Sequence, residues 1–432
     1  MFGMKKWLAG SRTMIADSAA PAVSPAAGER TALLCRDAVF DRQNRLAGHL
    51  FRLPTDTTSR SPLQSDQHLL DILATSQAAW NTQTAFIPLS AEALEYPALD
   101  RLPPQNLVLL IGLAATDPAP EILHDRVRFL RQRGLAIGLS HQPWHPAFDR
   151  LRPLADYGVI DVAASRAEDI RDFPGCFGTS GHPPALFAAN IDSLDEHRLC
   201  RQGHFSFFHG RFAELAQPVP PPTQTDPQRA QLLNLLRLVE GDAETPQIAE
   251  AMKLAPVLTF RILRYLNSPA IGLSHRIDSI SQALIMLGRQ RLSRWLAILL
   301  FSVSGAGFAD WLLVESALTR GRLMEELGAR LSPPPASDPL FLTGIFSCLD
   351  RLLQRPLAEI LDELPLSDEI CAALLTHSGP LAPLLAIAEA CETFDAAVVH
   401  GAAQRVGLSV AQVNDALLAA TAWASEVTEH WE

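Results

Sequence analysis

The chain has 432 residues, 48% hydrophobic and 19% charged, with a net charge of −11 at pH 7 and a pI near 5.6. That length exceeds one ordinary domain of about 100–200 residues. The apolar share excludes global disorder, and the acidic balance excludes a broadly basic surface for nucleic acid or anionic lipid.

In chain order, residues 1–30 contain the small-residue, proline-punctuated run AAPAVSPAAGER, which reads as a mobile tail. No secretory signal is visible there, because only a few apolar residues follow Lys5 and Lys6. Across residues 31–217, short apolar runs recur at Phe86-Ile87, Leu107–Leu113, Leu135–Leu139, Val159–Val162, Ala185–Ile191 and His204–Phe208. Between the second and third lies EILHDRVRFLRQR, with Leu123, Val127 and Leu130 at i, i+4 and i+7 before Gly134, an amphipathic helix. Apolar strands separated by helices argue for a parallel sheet covered on both faces. At 187 residues the segment is short against about 250 for a full β/α barrel, so a shortened or modified barrel, or an open α/β sheet, is expected.

Residues 218–228 include most of the proline-rich run QPVPPPTQTD, an extended linker. Residues 229–432 carry helical periodicity and no strand pattern. Leu232, Leu233, Leu236 and Val239 open a helix, and Leu258, Ile262 and Leu266 continue until Asn267-Ser268-Pro269. Thr245-Pro246, Ser367 and the pair Ser409/Gln412 read as helix starts. Roughly eight to ten helices are expected in this all-α part. The apolar run Trp295–Ala309 is fifteen residues long, short of the roughly 20 that a membrane span needs, and is read as a buried helix. The six cysteines stand far apart with no C-x-x-C, which fits reduced, buried thiols in a cytoplasmic protein.

Several polar pairs invite a chemical reading. His124-Asp125 lies on the polar side of its helix and reads as a solvated face. His141 and His145 lie in a proline-containing loop without a third ligand, and His204 and His209 fall on opposite faces of a strand. His377 reads as a helix C-terminal histidine. No phosphate-binding loop, dinucleotide fingerprint or esterase elbow occurs.

The segment NSPAIGLSHRIDSISQALIMLGRQRLSRWLAILLF, with Asn267-Ser268-Pro269, Ile280, Ala283, Leu287-Gly288 and Trp295-Leu296, resembles the HDOD pattern. CRDAVFDRQNRLAGHLFR (Cys35–Arg52) and HRLCRQGHFSFFHGRF (His197–Phe212) resemble the first and last strands of EAL domains. From residue 31 onward the chain is thus similar to bacterial EAL–HDOD signalling proteins, which join a cyclic-di-GMP phosphodiesterase-type barrel to an HD-like helical bundle.

The resemblance implies two-metal phosphodiester hydrolysis, with carboxylates and an asparagine holding the cations and a lysine orienting water. The signature glutamate position falls at Leu50, the asparagine near Pro88 and the next glutamate at Leu110. The paired aspartates fall at Ser140-His141, the lysine near Val159 and the late glutamate near Ala189, with Asp192 two to three residues on, while Asp161 keeps its acid. The substrate glutamines fall at Asp37 and His209. In the second domain, Ser347-Cys348 stands where the HD superfamily places His-Asp, and an earlier histidine position falls near Glu315.

From these replacements we expect a protein that is not an enzyme, with no catalytic, cofactor-binding or metal-ligating residues. It would act by contact with other bacterial signalling proteins, without binding cyclic di-GMP. The alternatives are a barrel that serves as a cyclic-di-GMP or other nucleotide receptor, and a hydrolase built on His141, His145 and Asp161.

Overall fold

A computed structural model describes residues 32–54, 61–75, 83–177, 183–213, 227–254, 282, 285, 288–302, 308–393 and 395–429. The tail before residue 32, the proline linker, the helix expected over Leu258–Leu266 and the motif positions Asn267-Ser268-Pro269, Ile280, Ala283 and Leu287 lie outside them.

Eight strands close into a barrel in chain order: β1 Cys35–Asp41, β2 Leu46–Arg52, β3 Ala85–Ser90, β4 Leu107–Gly112, β5 Ala136–Ser140, β6 Tyr157–Asp161, β7 Ala185–Ala189 and β8 Phe207–His209. From β2 to β8 neighbouring strands run parallel, and β1 runs antiparallel to both β2 and β8. The expected shortened barrel is therefore closed, and the open-sheet option is set aside.

Its brevity has a local cause. Among the described residues of this part, only α1 Pro62–Thr75, α2 Pro120–Gln132 and α5 Leu194–Gln202 are helices of two turns or more. The other crossovers use one-turn pieces, α3 Phe148–Leu151 and α4 Ala167–Asp172, with 3₁₀ turns. The helix read from Leu123, Val127 and Leu130 is α2, and those three residues form its buried stripe. Helix α5 starts at a capping box in which Ser193 Oγ accepts the Glu196 N–H at 3.2 Å and Glu196 accepts the Ser193 N–H at 3.1 Å.

Alternation along the strands divides the apolar residues into two sets. Val39, Leu50, Phe86, Val108, Leu110, Val159 and Phe187 fill the barrel interior. Phe40, Phe51, Ile87, Leu109 and Ile137 face the surrounding helices. Gly138 makes room inside, since a Cβ there would lie 2.6 Å from Leu110 Cδ2.

Eleven helices follow among the described residues: α6 Pro227–Glu240, α7 Thr245–Lys253, α8 Arg289–Ser302, α9 Phe308–Gly328, α10 Ser337–Phe346, α11 Leu349–Leu353, α12 Leu357–Asp362, α13 Asp368–Thr376, α14 Ala382–Glu392, α15 Ala396–Arg405 and α16 Val410–Glu429. This exceeds the eight to ten expected because α11 and α12 are too short to show periodicity. The Ser409/Gln412 capping box forms, with Gln412 N–H donating to Ser409 Oγ at 3.2 Å. Two starts differ in detail. Helix α7 is capped by Glu244, so Pro246 sits in its first turn, and Ser367 occupies the cap of α13 without a side-chain bond. Trp295 and Leu296 belong to α8 and to a single helical core running from Leu232 to Ala424. Among the described residues no helix is long and apolar enough to cross a membrane.

The helical part covers the outside of the β1–β2 hairpin. Leu33 joins the helical core while its neighbour Leu34 joins the barrel core, and Leu418 of α16 packs into the barrel set. Asn414 clips this segment from both sides, accepting the Leu34 N–H at 2.9 Å and donating to the Ala32 carbonyl at 2.8 Å.

Phe86 is fully buried inside the barrel against Tyr157, Phe187 and Phe207. Phe86→Ala is expected to destabilise the barrel by about 3–5 kcal/mol. Urea unfolding followed by strand-specific hydrogen exchange checks this.

Candidate functional site

In β/α barrels, functional groups gather at the carboxyl ends of the strands. Because β1 is reversed, its amino-terminal half reaches that same mouth, with Cys35 opposite Arg52 and Val39 opposite His209. A cavity of about 710 Å³ opens there. Its barrel wall carries Arg36, Asp37, Arg52, Asn190, Asp192, His209 and Arg211. Its other wall comes from the helical part, with Glu315, Ser316, Thr319 and Arg320 of α9 and Glu392 of α14.

Asp37 is the centre of the barrel side. Its Oδ2 accepts from Arg52 Nε at 2.7 Å and faces His209 Nε2 at 3.6 Å. His209 Nδ1 accepts the Asn190 N–H at 3.3 Å, so the ring proton sits on Nε2, toward Asp37. Burial opposes ionisation of Asp37, but His209 and Arg52 together outweigh it and hold the carboxyl below its ordinary value. Gly210 fixes the turn that follows: its φ is +143°, and a Cβ would lie 2.3 Å from the Ile191 backbone.

One residue back, the polarity faces the other way. Arg36 Nη2 donates to Glu315 Oε1 of α9 at 2.6 Å, and Arg36 Nη1 lies 3.0 Å from His49 Nε2. Both side chains of the pair are at most 10% exposed. Burial and the neighbouring guanidinium push His49 well below its ordinary value, so it is neutral and accepts from Arg36. On the helical side, Arg320 makes a two-pronged pair with Glu392 at 2.8 and 2.5 Å and donates to Ser347 Oγ at 2.7 Å. Thr319 Oγ1 is buried beside the cavity without a hydrogen-bond partner.

The positions carried over from the EAL pattern divide into two groups. Leu50, Leu110 and Val159 belong to the apolar barrel interior, with Ala189 packed against it. Asp37 and His209 line the mouth. His141 packs on the rings of Phe148 and Phe173, with Cys176 Sγ at 3.6 Å, and burial lowers its pKa. His145 is 3.1 Å from the Ala114 carbonyl and 3.7 Å from Asp117. Asp161 is exposed and accepts the Ala164 N–H at 3.3 Å, the end of a turn. These three residues have separate roles, and among the described residues no group of three or more His, Cys, Asp or Glu is placed to hold a metal ion.

His124 and Asp125 meet at 3.4 Å on the outer surface of α2. His204 occupies a left-handed turn before β8, away from His209 on the strand. Ser347 is engaged by Arg320 and the Gly344 carbonyl, and burial raises the Cys348 thiol, so neither is poised as a nucleophile. The buried thiols of Cys35, Cys200 and Cys391 are each pushed up to about 12. His377 is the left-handed residue that ends α13.

A family model described as the HDOD domain matches residues 227–354. Over 327 residues the chain is 25% identical to a Vibrio cholerae protein named cyclic di-GMP phosphodiesterase CdgJ, covering 76% of this chain and 75% of that one. It is 27% identical over 293 residues to the uncharacterized protein YuxH of Bacillus subtilis, covering 66% and 71%. Among solved structures, a PaMucR phosphodiesterase in complex with c-di-GMP covers 44% of this chain and 98% of its own, with a TM-score of 0.36 and 15% identity. The helical part therefore carries an HDOD domain, as its sequence pattern implied.

One expectation is overturned. The chain was expected not to be an enzyme, yet the V. cholerae relative, aligned over three quarters of each chain, is named a phosphodiesterase. The physical reason lies in what the replacements measure. They report that one known ligand arrangement is missing, whereas Asp37, Arg52, Asn190, Asp192, His209 and Arg211 still bring polar chemistry to the mouth. Of these, Asp192 follows the late glutamate position of the resemblance, whereas Arg52, Asn190 and Arg211 have no local signal in the sequence that marks them as neighbours.

Asp37→Asn removes a carboxylate whose folded pKa lies below its unfolded value of about 3.9. Its contribution is present above that value and lost as pH falls through the lower folded one. The variant is expected to be less stable than the parent by about 1.5–3 kcal/mol at pH 7, with the gap closing below about pH 4. Denaturant titrations at pH 7, 5 and 3 check the trend.

Proposed function

We propose that this is a cytoplasmic component of cyclic di-GMP signalling, with residues 31–217 as the nucleotide-handling barrel and residues 229–432 as the output domain. The output is contact with another bacterial signalling protein. The observation that carries the reading is the cavity at the barrel mouth, whose second wall is supplied by α9 of the helical domain. Any molecule held there touches both domains at once. The HDOD match and the similarity to a relative named a cyclic di-GMP phosphodiesterase support cyclic di-GMP as that nucleotide.

The mouth has the chemistry for such a ligand. Arg52 and Arg211 are paired with Asp37 and Asp192, and a phosphodiester can take either guanidinium in a two-pronged contact. Asn190, Thr319 and His209 offer neutral hydrogen-bonding groups to a base or a ribose. These groups are polar in character even though the signature turn of the resemblance is changed.

Calorimetric titration of the full chain with cyclic di-GMP, followed by chromatography of the product mixture, tests the nucleotide half of the reading. Binding is expected, weakened at least about tenfold by Arg52→Ala, the loss of one charge-assisted contact. Neither heat nor product at saturating nucleotide overturns it. For the output half, a photo-crosslinking residue at Leu375 or Val398, both exposed on the helical domain, is expected to capture a protein in bacterial cells. Equal capture from Phe129, exposed on the barrel, counts against that assignment.

A further inference from the structure

Successive residues of a strand point to opposite faces, and at the start of β1 the two faces belong to different domains. Asp37 turns into the mouth cavity, where it holds Arg52 and faces His209. Arg36 turns outward and holds Glu315 of α9. Just before the strand, Leu34 packs into the barrel core and its neighbour Leu33 into the helical core. A displacement of this one strand end is therefore felt on both sides.

We propose that residues 32–37 are a mechanical coupler: Asp37 reads the state of the barrel mouth, and Arg36, held to Glu315, passes it to the helical domain. The proposal rests on the reading of the mouth as input and the helical domain as output. Three observations support a movable coupler over a fixed joint. Arg36 and Glu315 are a buried pair, and such a pair gives orientation more than net adhesion, because desolvation offsets most of its attraction. The pair borders the cavity, so both side chains adjoin space that they can move into. Neutral His49 keeps a hydrogen bond to Arg36 at 3.0 Å, so the guanidinium retains a barrel-side partner after release from Glu315.

The Asn414 clip gives the coupler its pivot. Both of its bonds are to backbone atoms, the Leu34 N–H and the Ala32 carbonyl, and they hold the strand end to α16 whatever the side chains of Arg36 and Asp37 do. A ligand that draws Arg52 or His209 away from Asp37 frees that carboxylate. The strand end can then rotate about the clip, and Arg36 turns with it.

Coupling must run in both directions, which makes it testable without nucleotide or partner. In hydrogen-exchange measurements on the full chain, Asp37→Asn is expected to speed exchange in α9 and at the Leu34 N–H at least tenfold. Glu315→Gln is expected to do the same at β8 and at the Asn190 N–H, on the far side of the mouth. Exchange in β4 and β5, which neither residue touches, reports global stability; it is expected to rise with the destabilisation that Asp37→Asn brings, and only acceleration beyond that rise counts as coupling. The milder Asp37→Glu and Glu315→Asp are read in the same way. Changes confined to the domain that carries each substitution overturn the coupler while leaving the proposed function intact. Absence of nucleotide binding would overturn the proposed function and leave a measured reciprocal coupling intact.

Discussion

The reversed direction of β1 is the constraint from which the rest of the architecture follows. In a regular β/α barrel each strand is followed by a helix that covers its outer face. A hairpin has no crossover, so β1 and β2 have no helix between them to cover Phe40 and Phe51. Fully burying one such side chain stabilises by about 1.5–3 kcal/mol relative to leaving it in water, which makes a bare hairpin face costly. The helical domain helps cover it, through Leu312 and Leu418. The reversal also delivers Arg36 and Asp37 to the mouth, where a parallel β1 would have brought its other end. Cover for the hairpin and polarity at the mouth thus share one cause.

The barrel is small because its crossovers are small. One-turn helices and 3₁₀ segments replace several outer helices, and the interior is packed with aromatic and branched side chains. Phe86, Phe187 and Phe207 form a ring cluster with centroids 5.2 to 6.4 Å apart, two contacts tilted and the Phe187–Phe207 one stacked. This apolar plug ends just below the mouth, so the polar groups there stand on a rigid floor. Rigid support of this kind holds a site's geometry better than loops do.

How much of this could be read from the sequence depended on the range of each interaction. Strands β4 to β7 declare themselves as continuous apolar runs, because both faces are covered. Helix α2 declares itself through Leu123, Val127 and Leu130. Strands β1 and β2 carry mixed patterns such as CRDAVFD, because one edge of each face meets the mouth or the other domain, and they were visible only through a family resemblance. The Arg36–Glu315 pair spans 279 positions and has no local signature at all. Asp37 and His209 stand where the resemblance puts substrate-contacting glutamines, and the structure brings both to the mouth, while the arginines that complete the site carry no such mark. The absence of acids at Leu50 and Leu110 was plain to see, but it spoke only about one arrangement of ligands and was extended too far when taken to exclude an enzyme.

The alternation at Leu33 and Leu34 also orders events during synthesis. Leu34 and the hairpin it introduces emerge from the ribosome well before the residues that clip and cover them, Asn414 and Leu418, the first of which lies 380 positions further on. At about 5–20 residues per second the gap is on the order of tens of seconds. For that interval the hairpin face lacks the cover that α16 supplies in the folded chain. The two domains, although separate in sequence, are joined by one later event, the arrival of α16.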